Sequence, residues 1–153
     1  MTKRHDRFLI VNLRGERLAL RLDDIAEVRE TFQTYPIPNV PEYYLGVMNS
    51  HGSPTPILDP AAFLYGDSPR DAGTLLLLDH RIGTLALRID RVERIIYAVP
   101  PVETEPPGNG LTERTVLHND EDIPLLDLER LVTRLENDFL LGAAEPVRKS
   151  RQA

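Results

Sequence analysis

The sequence predicts a mainly β protein: two small five-stranded barrels related by an internal repeat, with short helices and a C-terminal helix. Three observations predict it. Leu18-Ala19-Leu20-Arg21-Leu22-Asp23 returns as Leu85-Ala86-Leu87-Arg88-Ile89-Asp90, 67 positions later. Pro56-Ile57-Leu58-Asp59 returns as Pro124-Leu125-Leu126-Asp127, 68 positions later. Two echoes in the same order and register mark one structural unit used twice. Within each copy, apolar residues alternate with period two, and the runs are short and bounded by turn residues. Short strands with tight turns favour small barrels.

The elements follow in order. Residues 8–13 form an apolar run that Arg14-Gly15 turns into a second strand, with Leu18, Leu20 and Leu22 on one face. Residues 25–29 are a third extended segment, with Glu27 and Arg29 directed outward. Pro36, Pro38 and Pro41 deny ladder hydrogen bonds, so this stretch is an extended connection at a sheet edge. Residues 45–49 and 55–58 are strands around a turn at residues 50–53. Asp59 then caps a short helix that opens on Pro60, because a carboxylate accepts from the orphan N–H groups there.

The second copy opens at Thr74. Residues 75–78, 85–89 and 92–99 are its first strands, and residues 100–110, rich in proline and glycine, form a loop. Residues 116–117 and 123–126 make the last hairpin. Asp127 caps a helix whose Leu128, Leu131, Val132, Leu135 and Phe139 form one stripe. Burying that stripe is worth roughly 7–15 kcal/mol before entropy. Gly142 is expected to end it.

At 153 residues the chain has the length of one domain. Folding at this size buries about 68–70% of the unfolded surface, whereas a half alone would be marginal. The net charge of −6 argues against broad nucleic-acid binding, which needs a basic face. There are no cysteines, which excludes disulfides and thiolate metal sites. No apolar run approaches the 18 residues of a membrane span. The N-terminal segment lacks a signal-peptide pattern, so a cytoplasmic location is expected.

Candidate chemistry is sparse. Asp59 and Asp127 resemble paired carboxylates, but their shared strand-to-helix setting reads as two caps. His5, His51, His80 and His118 do not converge at metal-ligand spacing. No nucleophile elbow or phosphate loop is present. Tyr43 and Tyr44 could plug a barrel or sit at an interface, and the residues alone leave both open. The expectation is a binding module without catalytic residues, cofactor or metal. A small-barrel ligand or nucleic-acid binder ranks lower, since aromatics are only 6%.

The segments Phe8-Leu9-Ile10-Val11, Leu18 to Leu22, Ile25-Ala26-Glu27-Val28-Arg29, Ile37-Pro38-Asn39-Val40-Pro41, Tyr44-Leu45-Gly46-Val47-Met48-Asn49 and Thr55-Pro56-Ile57-Leu58-Asp59 resemble, in order and spacing, the CheW-like adaptor domain. The second half is similar through Ile89 to Ile95 and Leu125 to Leu131. The resemblance implies two SH3-like barrels sharing a core, in one domain over about residues 7–141. Subdomain one would span about 7–66 and subdomain two about 73–127, with the C-terminal helix at 127–141 and flexible tails at 1–6 and 142–153.

It also implies a non-enzymatic scaffold of bacterial chemotaxis signal transduction, associated with membrane receptor arrays without inserting into the membrane. Its partners would be the cytoplasmic tip of a chemoreceptor and the regulatory domain of a CheA-type histidine kinase. Carried over by position, the receptor-contacting groove would use Ile25, Glu27, Gly46, His51, Gly52 and Ile95. The kinase would meet barrel-end loops and strands. One departure stands out: the family's usual Leu-Arg-Gly turn reads Ser50-His51-Gly52 here. A constant cation becomes a titratable ring, which points to a divergent array, such as one serving pilus motility.

Overall fold

The computed structural model describes residues 5–30, 32–70, 72–99, 102–103 and 110–144. The strands in order are β1 (Asp6–Leu13), β2 (Glu16–Arg21), β3 (Ile25–Arg29), β4 (Tyr44–Ser50), β5 (Ser53–Leu58), β6 (Thr74–Leu78), β7 (Ala86–Ile89), β8 (Arg91–Ala98), β9 (Val102–Glu103), β10 (Arg114–His118) and β11 (Glu121–Leu125). Helix α1 (Pro60–Tyr65) follows β5, and α2 (Leu128–Ala144) ends the described chain. A 3-10 turn, Leu22–Asp24, joins β2 to β3. The expected strand through Leu22 therefore stops one residue short, and the chain changes direction there. Helix α2 also continues through Gly142, where a stop was expected; a single helical glycine costs about 1 kcal/mol, which the helix tolerates.

Two sheets form. The first runs β8-β1-β2-β11-β10-β9 and the second β3-β6-β7-β5-β4. This corrects the expectation of one barrel per half. The first two strands of each copy pair with the later strands of the other copy. The exchange is reciprocal: replacing each strand by its repeat mate turns β3-β6-β7-β5-β4 into β8-β1-β2-β11-β10. The register agrees, since the parallel pairs Ile57↔Ala86 and Leu125↔Ala19 are equivalent under the repeat. A half of marginal size gains by this arrangement, because neither sheet can form without both copies.

Why the turns form is local. Arg14 and Gly15, His51 and Gly52, and Asn119 and Asp120 all lie at positive φ. Two-residue hairpins demand that geometry because it matches the strand twist. Sheet two closes where Tyr35, beyond β3, bridges to Val47 on β4.

Apolar side chains fill three volumes. Phe8, Ile10, Ala19, Ile96, Val116, Ile123 and Leu125 pack inside sheet one. Met48, Ile57, Leu75, Leu77 and Ala86 pack inside sheet two. The largest cluster lies between the sheets: Leu9, Val11 and Leu20 meet Leu76, Leu78 and Leu87, with Leu128, Leu131 and Leu135 of α2. The predicted stripe of α2 is thus buried at those three positions, with Val132 partly buried beside them. The side chain of Phe139 lies outside the described residues.

Candidate functional site

Both aspartates cap helices. Asp59 Oδ1 accepts from the N–H of Ala61 at 3.0 Å and of Ala62 at 3.3 Å. Asp127 Oδ1 accepts from the N–H of Arg130 at 3.0 Å. Asp59 does more: its Oδ2 accepts from the N–H of Arg70 at 2.9 Å and lies 3.9 Å from the buried Arg88 guanidinium. It therefore fastens the link between the halves as well. Tyr43 and Tyr44 pack against the shared core, Tyr43 meeting Phe63 edge-on at 4.8 Å between centroids. They are partly buried and line the edge of that core. Among the described residues, no three His, Asp or Glu side chains converge as a metal site.

The six residues singled out by resemblance do not form one cluster. Glu27 and His51 come together: His51 Nε2 lies 3.3 Å from Glu27 Oε1. Arg29 Nε donates to Glu27 Oε2 at 2.7 Å. The Glu27 carboxyl is held below the usual carboxylate range, first by the Arg29 guanidinium, opposed by desolvation, and then by the hydrogen bond with His51. Glu27 and Arg29 stand opposite Leu77 and Leu75, on the face of β3 that looks into sheet two. Gly52 lies in the adjoining turn, its N–H donating to Asn49 Oδ1 at 2.9 Å. Gly46 has a structural reason of its own. Its φ is +147°, and a Cβ there would stand 2.6 Å from the Tyr35 carbonyl oxygen. Only glycine lets the Tyr35 segment close onto β4.

Ile25 and Ile95 lie elsewhere, on the seam between the sheets. A bulge at β3 puts Ile25 opposite Leu78 and Val28 opposite Leu76, both of the shared core. Ile95 stands opposite Leu9 of the same core. Residues directly opposite in a ladder share a face. Ile25 is partly buried, whereas Val28 is 44% and Ile95 50% exposed. Val28 and Ile95 are repeat mates, 67 positions apart. Tyr97, 65% exposed, stands opposite Arg7, whose Nη2 donates to Asp23 Oδ1 at 2.8 Å. Asp23 lies in the 3-10 turn two residues before β3 begins. The end of β8 and the start of β3 therefore lie at one margin of the seam, where the shared core comes to the surface. Val28 and Tyr97 are the members that sequence reasoning missed. Their signal was the repeat itself, which pairs Val28 with Ile95.

The profile of the CheW-like domain matches residues 7–136. The chain belongs to the CheW-like domain family. It is thus a member of a family of scaffolds. The fold of this CheW-like domain is also similar to that of the scaffolding protein TtCheW from Thermoanaerobacter tengcongensis, with a TM-score of 0.71 and 21% identity, over 80% of this chain and 89% of that one. No curated relative matches the sequence. No helix among the described residues is long and apolar enough to cross a membrane.

Proposed function

We propose that this CheW-like domain couples the cytoplasmic helical hairpin of a chemoreceptor to the regulatory domain of a CheA-type histidine kinase, without catalysing a reaction. The seam margin of β3 and β8 carries the reading. Val28, Ile95 and Tyr97 are large and exposed, and the first two stand opposite Leu76 and Leu9 of the shared core, which suits helix-in-groove recognition. Ile25 forms the groove's inner wall. Arg7 and Asp23 supply a charged rim that fixes register more than affinity.

Glu27 and His51 belong to a second, polar patch beside that groove. Gly46 acts in shaping the scaffold and Gly52 in shaping the turn. Because Glu27 already holds Arg29 and His51, it presents a neutralised surface to a partner. That favours a receptor of a divergent array, such as a pilus-motility pathway, over one that relies on a fixed cation in this turn.

The test is titration calorimetry with a receptor-tip hairpin and with a kinase regulatory domain, separately and together. Binding of both at once supports coupling. Binding of neither ends it.

A further inference from the structure

The chain crosses between the sheets twice, and each crossing is held by a hairpin turn. It leaves sheet one for sheet two through Leu22–Asp24. There the turn between β6 and β7 reaches across. The Asp79 N–H donates to the Asp24 carbonyl at 2.8 Å. Arg81 Nη2 lies 2.9 Å from both the Asp23 carbonyl oxygen and Asp24 Oδ1. The chain returns to sheet one at Asp90. There the turn between β1 and β2 reaches across: the Arg14 N–H donates to Asp90 Oδ2 at 3.1 Å, and the Asp90 N–H to the Asn12 carbonyl at 3.0 Å. Asp23 and Asp90 are repeat mates, as are the two hairpins. Each clasp thus belongs to the sheet being entered.

The strand that emerges from the first clasp is β3, with Ile25 and Val28. The strand that emerges from the second is β8, with Ile95 and Tyr97. These are the two walls of the seam margin. The clasps differ in one respect. The second is made largely by backbone groups and the buried Arg88, whose Nη2 lies 2.5 Å from Asp90 Oδ1. The first depends on a half-exposed arginine closing on a buried aspartate.

We infer that Arg81 is a positioning residue: by clasping Asp23 and Asp24 it sets where β3 enters sheet two, and so sets the separation of the groove walls to which a receptor hairpin docks. The part concerning the hairpin rests on the function proposed above. Arg81 meets the rim only at the Asp23 backbone carbonyl and makes no hydrogen bond or ion pair with Ile25, Val28, Ile95 or Tyr97.

The experiment compares the full chain with Arg81→Gln and Arg81→Lys. Amide hydrogen exchange and affinity for a receptor-tip hairpin and a kinase regulatory domain are measured on each. Arg81→Gln is expected to speed exchange at residues 22–29 while leaving β10 and β11 as they were. It is expected to weaken hairpin binding about fivefold with kinase binding unchanged. Arg81→Lys, which keeps the charge, should recover most of both effects. Unchanged exchange at residues 22–29, or faster exchange throughout with equal loss of both partners, overturns the inference. If the parent chain binds no hairpin, the proposed function fails, and the exchange pattern alone decides whether Arg81 positions β3.

Discussion

Ile95 on β8 stands directly opposite Leu9 on β1, so a half-exposed isoleucine and a fully buried leucine share one face of one sheet. The shared core does not end under a polar cover at this point. It surfaces. An exposed aliphatic residue at an edge strand adds little to folding, because unfolding gains it little further contact with water. Ile95→Asp is therefore expected to leave the melting temperature within ~2 °C. It should weaken binding of a receptor hairpin at least about tenfold, or 1.4 kcal/mol. Parallel thermal melts and calorimetric titrations check both numbers.

Ile25 is a different case, although resemblance places it in the same groove. It packs against the shared core and is partly buried. Ile25→Asp removes apolar burial worth about 2 kcal/mol. At about 2–4 °C per kcal/mol for a chain of this size, the melting temperature should fall by about 4–8 °C. A melt unchanged from the parent would place Ile25 wholly in the groove.

The two caps are sequence mates with unequal duties. Asp127→Ala loses a cap and should cost about 1 kcal/mol. Asp59 is only 1% exposed and also holds the Arg70 N–H and faces Arg88. Asp59→Ala should cost about 2–4 kcal/mol, since it strands a buried donor as well as the helix start. Urea denaturation of the two variants reads the difference.

A depressed carboxyl pKa makes the Glu27 cluster pH-dependent. The folded state favours the ionised form, so Glu27 stabilises the fold above its unfolded pKa of about 4.3. That contribution is lost as pH falls through the lower folded value. The difference in melting temperature between parent and Glu27→Gln should be present at pH 7 and shrink below about pH 4. A difference that grows on acidification would contradict the assigned cause, the Arg29 hydrogen bond.

Much of this was legible in the chain. The 67-residue echo gave the unit, the alternation of Leu18 and Leu20 gave strands, and Asp59 with Pro60 gave a helix start. The strand exchange was not legible. A repeat shows that two units are alike, but not whether β1 and β2 pair within their own copy, since both pairings satisfy the same apolar pattern. The deciding feature is Leu22–Asp24, where alternation continues while the backbone turns away. The groove was half legible for the same reason. Alternation alone would put Ile25 and Glu27 on one face, yet the bulge between them leaves Ile25 with Val28 on the seam and turns Glu27 toward sheet two.

Gly46 offers a check on the closure of sheet two at Tyr35 and Val47. Gly46→Ala forces a methyl to within 2.6 Å of the Tyr35 carbonyl oxygen at a φ of +147°. The Tyr35–Val47 bridge should open, with faster exchange at those two amides and a lower melting temperature. Retention of both protected amides would show that the closure does not depend on glycine.

The most direct measurement is the map of backbone amide shifts on adding a receptor-tip hairpin to the labelled full chain. The account predicts that the largest shifts gather at residues 25–28 and 95–97, on both walls of the seam. Shifts gathered instead around exposed Leu117, or absent at saturation, would contradict it.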